Sequence, residues 1–148
     1  PFLFMFNYNP AGPAYLVSIK KGRGDEITRE EFEPFTDKIK VTRRIIITTG
    51  WSEKFGSLEF YKDFPGISPD AASWMVEIGI VLVGIEQPSV HPTKGLHVHH
   101  KLLGNGIVIV EAIAWPERIP VREFEIICLP LSISGGDGSP ARVVAIVD

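Results

Sequence analysis

The most constraining stretch of the chain is a helix signature that runs, after one glycine, into an uncharged, largely β-branched segment. Ser68-Pro69-Asp70 reads as an N-cap, a proline at the first helical position and a carboxylate on the positive end of the helix dipole. Ala71, Trp74, Met75 and Ile78 then recur on one stripe, and Gly79 stops the helix. Ile80 to Ile85 (IVLVGI) follows at once. A strand with no polar face is expected where both faces are covered, as in a parallel sheet flanked by helices. The spacing therefore predicts a helix over 68–78, a buried strand over 80–85 and an α/β domain.

The alternation extends in both directions. Ala14 to Lys20 is rich in β-formers and ends in the turn Lys20-Lys21-Gly22-Arg23-Gly24. Thr28 and Glu31 have capping-box spacing ahead of Phe32 and Phe35, which predicts a short helix over roughly 28–36, limited by Pro34. Arg43 to Thr49 (RRIIITT) reads as a buried strand running into Gly50-Trp51. His99 to Leu103 looks like the end of a short helix closed by Gly104, and Ile107 to Val110 is again a strand. Phe124 to Leu131 and Arg142 to Val147 close the chain as strands around the loop Ser134–Pro140. With no internal repeat and no low-complexity tract, residues 1–148 are expected to form one domain, a mixed sheet flanked by short helices.

Composition narrows the function. Fifteen Lys and Arg against eighteen Asp and Glu give a charge of −3, without the basic excess of a nucleic-acid footprint. The longest apolar run, Ile78 to Ile85, is strand-sized and falls short of the ~18 residues of a membrane span, so no membrane partner is expected. Cys128 is the only cysteine, which excludes an intrachain disulfide and a zinc–cysteine cluster and suggests a reducing cytoplasm. Flanked by Ile126, Ile127 and Leu129, it reads as a core thiol. Pro1 to Pro13 carries no charge and four aromatics, Phe2, Phe4, Phe6 and Tyr8, but no basic signal-peptide region. It is expected to be a core-covering strand or arm, or the ragged edge of a longer protein.

Chemistry concentrates in one place. His91, His97, His99 and His100 fall within ten residues, and Glu111 ends the next strand. Imidazole and carboxylate suit zinc, manganese or iron, and the carboxyl ends of strands are where α/β folds gather polar groups. A cluster of solvated loop histidines is the competing reading. Glu111 weighs against it: following Ile107-Val-Ile-Val110, an unpartnered carboxylate there would cost several kcal/mol, for which a cation is the usual remedy. Trp51 after a strand end, Ser89 in the Gln-Pro-Ser turn and Asp137 in the Gly-rich loop are candidate substrate contacts, each also an ordinary packing or turn residue. Gly135-Gly136-Asp137-Gly138 lacks the Lys and Ser/Thr of a phosphate loop.

His99-His100-Lys-Leu-Leu-Gly104 followed by Ile107-Val-Ile-Val-Glu111 resembles the distal half of the metal site in the cyclase and kynurenine formamidase family of metal-dependent hydrolases. Thr49-Gly-Trp-Ser52, Pro65-Gly-Ile-Ser-Pro69, Val83-Gly-Ile-Glu-Gln-Pro-Ser-Val90 and Gly135-Gly-Asp-Gly-Ser-Pro140 fall in the same order. The resemblance implies a swivelling β/β/α fold, often a homodimer or homotetramer, whose one or two divalent metals, zinc or manganese, activate water against an amide bond of a small aryl-formamide or cyclic-amide substrate. It implies His99 and Glu111 as metal ligands, with His97 and His100 as candidate additional ones. The family's proximal motif, H-x-G-T-H-x-D, which carries the remaining ligands and the general acid/base, is absent, since no histidine precedes His91. Three expectations remain open: the motif lies upstream of this sequence, another histidine such as His97 substitutes, or hydrolysis has been lost. The last would make the chain a binding or assembly module.

Overall fold

Eight strands and three α-helices build residues 10–147, the part of the chain that this computed structural model describes. Of the strand or arm expected over Pro1 to Pro13, residues 1–9 with all four aromatics lie outside the described residues, and Ala11 to Pro13 open the first strand. Four strands, β1 (Ala11–Ser18), β3 (Arg44–Thr48), β5 (Leu82–Ile85) and β6 (Val108–Val110), are parallel neighbours. Two more, β7 (Glu123–Pro130) and β8 (Ala141–Ile146), extend the sheet on the other side of β1, each antiparallel to its neighbour. The order β6-β5-β3-β1-β7-β8 is the mixed α/β sheet that the sequence predicts.

Each parallel crossover carries one helix: α1 (Thr36–Thr42), α2 (Pro69–Glu77) and α3 (Gly95–Leu103). Their apolar faces share one side of the sheet. Ile39, Ala71, Met75, Val98 and Leu102 pack with Val17, Ile45, Ile47, Val83 and Ile85 in one buried cluster. The alternate strand residues Ala14, Leu16, Ile46, Leu82, Phe124, Ile126 and Cys128 point to the other side, under Ile113, Ile119 and Val121. Ile45, Ile46 and Ile47 are all buried, each worth about 1.5–3 kcal/mol relative to exposure. The helix at 68–78 forms as its cap signals require, with Ser68 Oγ accepting the Ala71 N–H at 3.1 Å.

Two elements depart from expectation. The helix placed over 28–36 is a 3-10 turn, Arg29–Phe35, that continues into α1. Thr28 N–H does donate to Glu31 Oε2 at 2.9 Å. Pro34 does not end the helical segment: it lies inside the 3-10 turn, and α1 starts two residues later. A separate two-residue parallel ladder joins β2 (Glu26–Ile27) to β4 (Gly66–Ile67), segments too short to carry a periodic signal.

Candidate metal centre

The parallel strands end on a common side, and there the loop leaving β5 meets the residue leaving β6. That residue is Glu111, whose Oε1 accepts the Val90 N–H at 3.1 Å and lies 2.9 Å from His99 Nε2. His99 sits on α3, its Nδ1 2.8 Å from the Gly95 carbonyl oxygen one turn back. A carbonyl only accepts, so Nδ1 carries a proton, and in the neutral ring the Nε2 lone pair is aimed at the carboxylate. Two acceptors at that distance require a cation between them, a shared proton or a metal ion. An imidazole nitrogen and a carboxylate oxygen that converge in this way are a donor set suited to a divalent metal such as zinc or manganese, which the two would hold by drawing slightly apart. The Gly95 carbonyl and the Val90 N–H lie behind the two side chains, where they would orient metal ligands. Both side chains are partly open to solvent, at 27% and 31% exposure.

The other expected residues distribute differently. His97 and His100 are exposed, because α3 advances about 100° per residue and turns neighbours of His99 away. Among the described residues no group of three His, Cys, Asp or Glu gathers, so neither completes the set. Ser89 lies next to Gly95 at the start of α3, on the Nδ1 side of His99: a Cβ built on Gly95 would stand 3.6 Å from Ser89 Oγ and 3.8 Å from His99 Nδ1. Trp51 is buried against Phe60 and Phe64, its indole N–H donated to the Phe60 carbonyl at 2.9 Å, so it packs rather than facing a ligand. Asp137 lies in the turn between β7 and β8, at the opposite edge of the sheet from β6, and the structure does not bring it to the pair.

A third carboxylate, Glu86, was assigned no role on sequence. It is fully buried just after β5. Its Oε2 accepts from Thr49 N (2.9 Å), Thr49 Oγ1 (2.8 Å) and Trp51 N (2.8 Å). Its Oε1 accepts from Thr48 Oγ1 at 2.7 Å and Ser52 Oγ at 3.3 Å. Burial pushes the carboxyl pKa up, but the Thr48, Thr49 and Trp51 donors outweigh it and hold the group below its ordinary value. Glu86 thus binds the carboxyl end of β5 to that of β3. Its signal was the one that singled out Glu111, a carboxylate directly after a β-branched strand.

The family model described as "Putative cyclase" matches residues 9–92, more than half of the chain. The chain belongs to the cyclase family. Among curated relatives, the kynurenine formamidase of Bacillus cereus is 33% identical over 135 residues, covering 90% of this chain and 61% of its own. That of Geobacillus thermodenitrificans is 32% identical over 133 residues, 88% of this chain and 60% of its own. The chain therefore spans about three fifths of the length of these relatives. A crystal structure of an isatin hydrolase bound to the product analogue thioisatinate superposes with a TM-score of 0.81 at 20% identity, over 93% of this chain and 60% of that one. A potential metal-dependent hydrolase with cyclase activity gives 0.77 at 24%, over 92% and 65%. These two share the fold.

Proposed function

We propose that this chain serves a metal-dependent hydrolase that cleaves the C–N bond of a small aryl formamide or cyclic amide. The observation that carries the reading is His99 Nε2 facing Glu111 Oε1 at 2.9 Å, with Nδ1–H held by Gly95. The names of the relatives, kynurenine formamidase and isatin hydrolase, point to the same bond class. A divalent ion, zinc or manganese, would supply Lewis acidity toward the carbonyl and lower the pKa of a water to about 7. His99 and Glu111 would hold it, and Ser89 would meet substrate at the rim. The remaining ligands and the acid that protonates the leaving nitrogen belong, on this reading, to the H-x-G-T-H-x-D motif in chain beyond these 148 residues. A cytoplasmic homodimer or homotetramer is part of the same proposal.

Elemental mass spectrometry on a protein that carries both this chain and the H-x-G-T-H-x-D motif, equilibrated with zinc or manganese, tests it. About one metal per chain is expected, lost in Glu111→Gln and His99→Asn, with the far-UV spectrum unchanged. Chelator-sensitive hydrolysis of an N-formyl aryl amine would extend the result to activity. Undiminished metal in both variants would overturn the ligand assignment, and no metal in any form would favour the assembly module instead.

A further inference from the structure

His91 was grouped with the other histidines on sequence, but the structure gives it different work. It is 6% exposed, and its ring lies flat against Gly66, where an added Cβ would come within 2.7 Å of Cγ and Cδ2. Its Nδ1 accepts the backbone N–H groups of Thr93 (3.1 Å) and Lys94 (3.0 Å). Nδ1 is therefore unprotonated, and Nε2–H donates to Glu26 Oε1 at 3.0 Å. The same oxygen accepts Lys94 Nζ at 2.6 Å. The Lys94 hydrogen bond, and then that of His91, hold the Glu26 carboxyl below its ordinary pKa.

These contacts span the stretch that supports the metal pair. At one end Val90 donates its N–H to Glu111 and accepts the Ile67 N–H at 2.7 Å through its carbonyl. At the other, the Gly95 carbonyl fixes the His99 tautomer. Helix α3 has no side-chain cap of its own on Lys94, and the His91 ring takes the orphan N–H groups ahead of it. Residues 90–95 form a strap whose ends touch both ligands and whose middle is pinned to β2 through Glu26.

We infer that Glu26 and His91 are positioning residues that set the separation and tautomer of the His99–Glu111 pair, so that metal affinity depends on a hydrogen bond made on a different sheet. This rests on the reading of His99 and Glu111 as ligands. Outer contacts of this kind change metal affinity by about 10–100-fold when removed.

The test is the imidazole 15N spectrum of the metal-free protein carrying both this chain and the H-x-G-T-H-x-D motif, with a zinc competition titration beside it. In the wild type at alkaline pH His99 is expected as the Nδ1–H tautomer and His91 as the opposite, Nε2–H form. Glu26→Ala should convert His99 to a tautomer mixture and weaken zinc binding at least about tenfold. Glu26→Gln keeps an acceptor for Nε2–H and should stay within about threefold of wild type, a rescue that a bulk loss of stability would not show. His91→Asn, whose amide oxygen caps Thr93 and Lys94 without reaching Glu26, should resemble Glu26→Ala. An unchanged His99 signature and unchanged zinc affinity in folded Glu26→Ala would overturn the inference. Should that variant not fold, the wild-type spectrum decides: a protonated His91 Nδ1 refutes the strap, and the Nε2–H form supports it. Zinc that fails to bind the wild type, while the His99 signature still responds to Glu26→Ala, would sink the metal reading and leave the positioning intact.

Discussion

Glu86→Gln removes a charge from the fold while leaving its shape. Three hydrogen bonds converge on Oε2, two of them from backbone N–H groups that cannot turn to accept. The amide nitrogen must therefore take the Oε1 position, where the Thr48 and Ser52 hydroxyls can rotate to accept it. Bonds to a charged acceptor contribute about 1.5–3 kcal/mol and neutral ones about 0.5–1.5, so neutralising Oε2 costs about 1 kcal/mol for each of its three bonds. Relief of the buried charge's desolvation returns part of that, leaving a net loss of about 2 kcal/mol. Glu86→Leu, which strands the Thr49 and Trp51 N–H groups, should cost about 4 kcal/mol or more. The pH dependence has a definite sign. Because the folded carboxyl's pKa is lowered, its stabilisation is complete above the unfolded value of about 4.3 and fades as pH falls through the folded value. Urea unfolding of both proteins should show a deficit that is flat from about pH 8 to about pH 5 and shrinks on further acidification. A Glu86→Gln protein within about 0.5 kcal/mol of wild type at neutral pH, or a deficit that grows with acid, would refute an ionised Glu86 held by these donors.

Gly66→Ala drives a methyl group into the His91 ring, with Cγ and Cδ2 at 2.7 Å, and should lower stability by about 1–3 kcal/mol in a thermal or urea melt. Trp51→Phe removes the donor to the Phe60 carbonyl and part of a buried ring, for an expected loss of about 1–3 kcal/mol, with the metal content of the chain unchanged. His97→Ala and His100→Ala, both at exposed positions of α3, should leave metal stoichiometry and melting temperature at wild-type values.

The strands were readable because β-branched runs such as Arg43–Thr49 and Ile80–Ile85 admit few other environments, and α2 because its cap and stripe agree. Helix α1 was missed since only Ile39 and Thr42 of its residues are buried, too few for a periodic stripe, while Val41 is 78% exposed. At the site, Glu111 announced itself as a charge against an apolar strand. Glu86 carried the same signal, yet its partners Thr48, Thr49, Trp51 and Ser52 lie more than thirty residues away, so only the β3–β5 pairing shows what satisfies it. Residue type says nothing of which edge of a sheet a turn occupies, so the placement of Asp137 far from the pair could not be read, nor could the burial of Trp51 against Phe60 and Phe64. The link from Glu26 to His91 depends on a two-residue ladder with no periodicity to read.

The placement of β7 beside β1 has a consequence for how the chain reaches its final form. Ala11 and Gly12 find their partners in Ile127 and Ile126, more than a hundred residues later, whereas the other edge of β1 is filled by β3 within about thirty. A ribosome making this protein therefore releases most of the parallel sheet while one flank of β1 still displays unpaired amides. Closure of such a distant contact is slow in entropic terms, and an open edge recruits other chains. The β7–β8 hairpin, which emerges after the parallel strands, is then the element that ends the vulnerable interval, and shortening it should raise the aggregated fraction during synthesis more than it lowers the stability of whatever chain does fold.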